Sequence, residues 1–313
     1  MKACAVGVDV GGTSARAGLV QPNGRLLFST SWSTGINVRA GAFRRALRQA
    51  VEAALRQADR RRLRVTGIGV GMPGFVDKEG RVAGSCNLPA LNGAPLRAWL
   101  EEEFRLPARL ENDVSAAAYG EFRFGGHGNL RGPLLFVALG TGIGAGLIVD
   151  GQPARVTQGC LGDPGHIIVD PSGDSPCRCG GNGCLEAVAS GWALVEQARG
   201  LGMEVSPAEI FRRARRGDRQ LAQLARRAAR FVGIGLASLC ALFNPRLVVL
   251  GGGTALEGGE PLRRLASRTL RRHGVPFFCR HARVVLARTG PGAGLAGAAA
   301  LALFGDRSGQ ATG

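Results

Sequence analysis

Two stretches of this chain carry the same pattern, and that repeat constrains the fold more than anything else in the sequence. Residues 6–20, VGVDVGGTSARAGLV, are an apolar run broken by Gly11-Gly12-Thr13 and then resumed; residues 137–149, VALGTGIGAGLIV, are an apolar run broken by Gly140-Thr141-Gly142 and resumed. Each reads as strand, glycine turn, strand. Two glycines at such a turn let backbone N–H groups approach an anion with no Cβ in the way, and a threonine adds a hydroxyl donor. A single turn of this kind is ordinarily only a hairpin. Two matching ones imply a pair of phosphate-grasping loops across a cleft, with Asp9 placed to hold a magnesium ion directly or through water.

The segments between follow the same logic. Residues 3–10, 14–20 and 25–30 read as three antiparallel strands, and Phe43, Leu47, Ala50, Val51, Ala54 and Leu55 follow helical spacing before a β-branched strand over 65–70. A helix over 96–104, a strand over 108–110 and a helix over 114–122 come next. In the second half the pattern predicts helices between 187 and 217, a long helix over 221–243, and a strand over 247–250 ending in Gly251-Gly252-Gly253. A helix over 261–272, a strand over 283–287, a helix over 295–303 and a frayed tail after Gly305 complete it. Other nucleotide motifs fail. No G-x-x-x-x-G-K-[ST] run exists, and residues 69–74 match G-x-G-x-x-G only by accident, since Pro73 and the turn residues after it do not open a helix.

With 313 residues, 45% of them hydrophobic, the chain can bury a sizeable core and is expected to form about two domains. The boundaries read as 1–112 plus a C-terminal helix over 292–313 for a small α/β domain, and 113–291 for a large one. No run of about 18 apolar residues occurs, and the N-terminus turns glycine-rich too early for a signal peptide, so a cytoplasmic protein with no membrane partner is expected. The net charge of +17 raises nucleic acid as a partner. Its distribution argues for solvated helix faces instead: the charge is nearly all arginine, as at Arg44, Arg45, Arg48 and Arg212, Arg213, Arg215, Arg216, with no aromatics interleaved to stack on bases. No nucleic-acid partner is expected. Of the eight cysteines, Cys4, Cys86, Cys160, Cys240 and Cys279 are scattered among apolar neighbours and read as buried small hydrophobes.

The other three cysteines are different. Residues 162–186, GDPGHIIVDPSGDSPCRCGGNGCLE, hold His166, Cys177, Cys179 and Cys184 among glycines that allow tight folding around one ion. Two readings stand: a tetrahedral structural zinc with one nitrogen and three thiolates, which the spacing favours, or a loop of free or disulfide-bonded cysteines.

Glu111-Asn112-Asp113 lies where a strand ends and a helix begins. A carboxylate there can accept a proton from a substrate hydroxyl while Asn112 positions the ring; alternatively, Asn112 or Asp113 merely caps the helix.

Taken together, residues 9–13, 111–113, 139–146, 165–166 and Cys177-x-Cys-Gly-Gly-x-Gly-Cys-Leu-Glu186 resemble the ROK family of bacterial sugar kinases and sugar-responsive repressors, a likeness running from Gly7 to about Gly297. The resemblance implies an actin-like ATPase (ribonuclease H-like) fold, two α/β domains flanking a cleft that binds a hexose and ATP with Mg2+. It implies that Asp113 takes the proton from the sugar's primary hydroxyl, and that Gly74, Asn87, Asn112, Asp163, His166 and Glu186 line the sugar, His166 also ligating zinc with Cys177, Cys179 and Cys184. Asp9, Gly11, Gly12, Thr13, Thr141 and Gly142 would grip the phosphates, and Gly251, Gly252 and Gly253 would border the adenosine. It further implies a homodimer. On this reading, zinc removal loosens sugar affinity and stability rather than abolishing nucleotide binding.

One departure bears on the substrate. Family kinases usually carry Gly-Glu-x-Gly-His, whereas this chain has Gly162-Asp163-Pro164-Gly165-His166, one methylene shorter and with a backbone donor removed by Pro164. The expected activity is that of a glucokinase-like, ATP-dependent hexose kinase. An N-acetylhexosamine kinase, a fructokinase and a polyphosphate-using glucokinase are the enzymatic alternatives. A sugar-responsive repressor is the non-enzymatic one, disfavoured because the first strand begins at Ala3 with no room before it for a helix-turn-helix.

Overall fold

The computed structural model describes residues 1–155 and 161–305, and in it the sequence repeat is a repeat of architecture. Strands β1 (Ala3–Val10) and β2 (Ser14–Val20) form an antiparallel hairpin, and β3 (Leu26–Ser33) adds antiparallel to β2. Helix α1 (Ala40–Arg60) leads to β4 (Arg64–Met72), which lies parallel to β1. A small ribbon of β5 (Phe75–Val76) and β6 (Val82–Gly84) follows, then α2 (Leu96–Phe104) and β7 (Ala108–Asn112), parallel to β4. The strand order is β3-β2-β1-β4-β7. Residues 69–74 run along β4 into a bend and open no helix, as expected.

After α3 (Asp113–Phe124), the second hairpin pairs β8 (Leu134–Leu139) antiparallel to β9 (Ile143–Val149). The two-residue β10 (Gln152–Pro153) precedes the helices α4 (Leu185–Ala189), α5 (Gly191–Gly200), α6 (Pro207–Arg215) and α7 (Arg219–Phe243). Strand β11 (Leu247–Gly251) lies parallel to β8, and after α8 (Gly253–His273) and α9 (Pro276–Cys279), β12 (Arg283–Leu286) lies parallel to β11. Helix α10 (Ala293–Phe304) ends the described chain. Each half is therefore a hairpin extended by parallel strands that helical crossovers reach.

The chain divides into two compact units: residues 1–129, 151–161 and 292–313, and residues 130–150 and 162–291. The first unit includes α3, on the far side of the boundary expected at 112/113. The reason is packing: α3 lies on α10, the two backbones meeting at Gly120 and Gly297. Its sheet is buried on both faces, by α1 and by the alanine-rich α10, which is why β1 and β4 read as continuous apolar runs. Val6, Val8, Val10, Ile68, Val70 and Met72 are fully buried, as are Leu47 and Val51 of α1; each such side chain contributes about 1.5–3 kcal/mol.

The arginine-rich helix faces are solvated, with ion pairs one turn apart such as Arg48–Glu52 and Arg263–Glu260. Cys4, Cys240 and Cys279 are buried as expected, but Cys86 is exposed in the bend between buried Ser85 and Leu88. Cys160 and the tail after Gly305 lie outside the described residues. No helix among the described residues is long and apolar enough to cross a membrane.

Candidate active site

In the first unit the candidate residues follow the carboxyl ends of β1, β4 and β7, which are parallel and so open on one edge of the sheet, where α/β folds bind ligands. Asn112 ends β7 and caps α3. Its Oδ1 accepts the N–H groups of Val114 at 3.0 Å and Ser115 at 3.1 Å, and its Nδ2 donates to the Gly74 carbonyl at 3.0 Å. Gly74 and Asn112 are thus in contact, and only one of the two Nδ2 hydrogens is taken by Gly74. Asp113 opens α3, half-buried at the positive end of the helix dipole, with Oδ1 accepting the Val114 N–H at 2.9 Å.

Glu111, one residue earlier, is 1% exposed. Arg155 lies against it, Nε donating to Oε2 at 2.8 Å and Nη2 approaching Oε2 to 2.7 Å, while Nη2 also donates to the Leu110 carbonyl at 3.2 Å. Burial pushes Glu111 above the usual carboxylate range; Arg155 and the Asn112 N–H pull it back. Arg155 sits in a stretch with no pattern of its own, so only the fold reveals it.

Asp9 lies near the end of β1, its Oδ2 accepting from Arg16 Nη2 at 2.9 Å across the hairpin. The turn Gly11-Gly12-Thr13 is pinned by the Thr34 hydroxyl, which donates to the Gly11 carbonyl at 2.8 Å, and by the Thr34 N–H, which donates to the Thr13 carbonyl at 2.9 Å. Exposed Asn87 packs against Gly12, so two candidates assigned to different ligands are neighbours. His127 faces the buried carboxylate of Glu121 at 3.3 Å.

In the second unit the turn Gly140-Thr141-Gly142 joins β8 to β9 and is held from several sides. Gly191 donates its N–H to the Gly140 carbonyl at 2.8 Å, Trp192 its N–H to the Thr141 carbonyl at 3.1 Å, and the Thr254 hydroxyl reaches the Gly140 carbonyl at 3.0 Å. Glu186 Oε2 accepts the Ile143 N–H at 2.8 Å and lies where a Cβ on Gly142 would stand 2.5 Å away, so any side chain at 142 would push that carboxylate aside. Gly251 ends β11, Gly252 caps α8 with φ +82°, and Gly253 begins the helix. Thr254 therefore brings the expected adenosine-side glycines beside Thr141 and Gly142, at a helix N-terminus suited to anions. Thr254 and Trp192 were not legible in the sequence as site residues.

The ligand atoms of His166, Cys177, Cys179 and Cys184 all lie within 4.8 Å of one another. Cys177 Sγ stands 3.5 Å from His166 Nδ1, and Cys179 Sγ 3.7 Å from Cys184 Sγ. Metal bonds of ~2.3 Å to sulfur and ~2.0 Å to nitrogen give tetrahedral edges of roughly 3.5–3.8 Å, so the set fits one ion. Burial pushes the Cys184 thiol up to about 12 and raises Cys177, whereas the Gly181 N–H helps lower Cys179. Three adjacent thiols of this kind need a cation to become thiolates together.

The other ring nitrogen, His166 Nε2, is 3.5 Å from Asp163 Oδ2. Asp163 caps the short turn Pro164–His166, Oδ1 accepting the Gly165 N–H at 3.2 Å. The shorter side chain is therefore folded back on its own turn. Burial raises its pKa, with the nearby Glu186 adding to the rise and His166 opposing it.

The ROK family model matches residues 5–304. The chain belongs to the ROK family. Among ROK proteins it is similar to a glucokinase of Streptomyces coelicolor, 33% identical over 95% of this chain and 96% of the relative. A xylose repressor of Caldicellulosiruptor bescii is 31% identical over 81% of this chain and 66% of the repressor. Among solved structures, a ROK family glucokinase from Streptomyces griseus in complex with glucose and AMPPNP has a TM-score of 0.79 and 34% identity, covering 95% of this chain and 98% of that one. The fold is accordingly the actin-like ATPase fold of the ROK sugar kinases, as expected.

Proposed function

We propose that this ROK protein is an ATP-dependent hexose kinase of the glucokinase type, transferring the γ-phosphate to the 6-hydroxyl of glucose or a related hexose. The observation that carries the reading is the end of β7, where the half-buried Asp113 carboxylate stands at the positive end of α3 beside Asn112, the cap of that helix. Asp113 accepts the proton of the 6-hydroxyl; that oxygen forms a bond to the γ-phosphorus as the bond to the bridging oxygen breaks, and ADP leaves with the electron pair. The second Nδ2 hydrogen of Asn112 and the side chains of Asn87, Asp163, His166 and Glu186 hold sugar hydroxyls. The turns at Gly11-Gly12-Thr13 and Thr141-Gly142 present N–H groups to the phosphates, Gly251–Gly253 borders the adenosine, and Asp9 serves the magnesium that accompanies ATP.

His166, Cys177, Cys179 and Cys184 would hold zinc, whose charge stabilises the three thiolates and fixes the loop bearing His166. The reading includes a cytoplasmic homodimer.

The test is an assay of magnesium-ATP, and separately polyphosphate, against glucose, fructose, N-acetylglucosamine and N-acetylmannosamine, with the sugar phosphate identified directly. Glucose 6-phosphate from ATP is expected. A preference for another sugar or donor reassigns the substrate within the same chemistry; no phosphorylation of any hexose sinks the kinase reading.

A further inference from the structure

Trp192 touches two parts of the second unit that the roles above keep separate. Its ring packs against Cys177, Cys184 and Ala187, on the cysteine knuckle. Arg178, between two of the cysteines, stacks on the same ring with its guanidinium carbon 4.5 Å from the centroid. The indole Nε1–H donates to Glu186 Oε1 at 3.3 Å, and the other oxygen of that carboxylate accepts the Ile143 N–H at 2.8 Å. The backbone N–H of the same tryptophan donates to the Thr141 carbonyl at 3.1 Å. One residue thus contacts the knuckle with its ring and the β8–β9 turn with its backbone, and its indole orients the carboxylate that fixes the residue after Gly142.

We infer that Trp192 is a positioning residue that couples the metal-binding knuckle to the Gly140-Thr141-Gly142 turn, so that affinity for the nucleotide phosphates depends on the metal as well as on the turn. The physical reason is rigidity. A turn aims its N–H groups at an anion only while its carbonyls and flanking amides are held, because misplacement by a fraction of an ångström weakens several charge-assisted hydrogen bonds at once. Two of those restraints, on Thr141 and Ile143, originate in Trp192 and its partner Glu186. The ring of Trp192 in turn rests on Cys177 and Cys184, whose positions an ion would fix. This goes further than the expectation that metal removal loosens sugar affinity and stability without abolishing nucleotide binding.

The inference rests on the kinase reading, and calorimetric titration with magnesium and a non-hydrolysable ATP analogue separates the two. Wild type, Trp192→Phe and Arg178→Ala are measured as zinc-loaded protein, and the first two again after chelation and after zinc is restored. Phe keeps a ring on the knuckle but lacks the indole donor. The expected results are a dissociation constant raised about fivefold by chelation in wild type and reversed by zinc, raised about threefold by Trp192→Phe in loaded protein, and raised less than twofold further when that variant is chelated. Arg178→Ala, which leaves all four ligands in place, is expected to raise it two- to threefold without losing zinc. Equal factors for chelation in wild type and variant overturn the coupling, as does wild-type affinity unmoved by chelation, whatever loaded Arg178→Ala does. Zinc-loaded wild type that does not bind the analogue at all overturns the kinase reading and the coupling with it.

Discussion

Arg155 closes over Glu111 with Nε 2.8 Å from Oε2, neutralising a carboxylate that is 1% exposed and one residue removed from Asn112. An acid at that depth is tolerable only because it is paired.

Replacing Arg155 by Ala leaves the buried Glu111 carboxylate with the Asn112 N–H at 3.1 Å and, among the described residues, no cation against it. At neutral pH the expected cost is about 2–4 kcal/mol. The sign of its pH dependence follows from burial, which already raises Glu111 above its ordinary value of 4.5. A carboxyl with a raised folded pKa loses stability as pH climbs from the unfolded value to the folded one. Without Arg155 the folded value rises further, so that loss deepens and extends to higher pH. Urea unfolding of both proteins at pH 5 and pH 7.5 checks this: the variant's deficit should be larger at pH 7.5, and an equal deficit at both would show that Glu111 is not the group responsible.

Asp113→Asn keeps the size of the side chain and an oxygen for the Val114 N–H, now at 2.9 Å, but cannot accept a proton. Loss of a general base costs typically ~10² to 10⁴ in rate. Turnover should therefore fall by that factor while glucose binding, followed by calorimetry, stays within about threefold and Tm within a few degrees. Turnover near that of wild type would place the base elsewhere.

Gly252 and Gly253 offer a matched pair at the start of α8. With φ +82°, Gly252 is in a region that side chains avoid, and a Cβ there would run into the Leu139 carbonyl; at Gly253 a Cβ meets nothing within 4 Å. Gly252→Ala should cost more than about 2 kcal/mol and raise KM for ATP, since the junction of β11 and α8 must open. Gly253→Ala should stay within about 0.5 kcal/mol of wild type. Thermal unfolding of both variants decides it, and equal effects would mean that the tight approach at Gly252 carries no weight.

How much of this was legible before the fold was known depended on whether the signal was local. Strands β1 and β2 and helix α2 have the ends expected, because glycine turns and apolar spacing mark them within a few residues. The capping of α3 by Asn112 is equally local. Helix α8 is two helical segments meeting at Gly259, whose φ is +58°: the segment after it is the helix expected from Pro261, whereas the short segment from Gly253 was not expected, because glycines at 251–253 and 258–259 leave it little apolar periodicity. Arg155 and Trp192 could not be singled out, since their partners are 44 residues away and around the cysteine knuckle, respectively. The cysteine cluster was legible because four ligands fall in one short stretch, whereas the direction of Asp163, back onto Gly165 and His166, required coordinates.

That direction makes Asp163 a test of substrate choice. Its Oδ1 is taken up by the Gly165 N–H at 3.2 Å and its Oδ2 lies 3.5 Å from His166 Nε2, so the carboxylate acts on its own turn before it acts on any ligand. Asp163→Glu adds a methylene. The longer chain gives up the tight cap, at about 0.5–2 kcal/mol of local stability, and extends the carboxylate beyond His166, where it can meet a sugar hydroxyl directly instead of through water. A direct charge-assisted hydrogen bond in place of a bridged one is worth about 1 kcal/mol, or roughly a fivefold change in affinity. Asp163→Glu should therefore lower KM for the preferred hexose several-fold, with turnover within about twofold and a Tm a few degrees lower. Steady-state kinetics on the sugar panel measure this, and an unchanged KM for every hexose would remove Asp163 from the sugar site and leave it as the cap of the turn Pro164–His166.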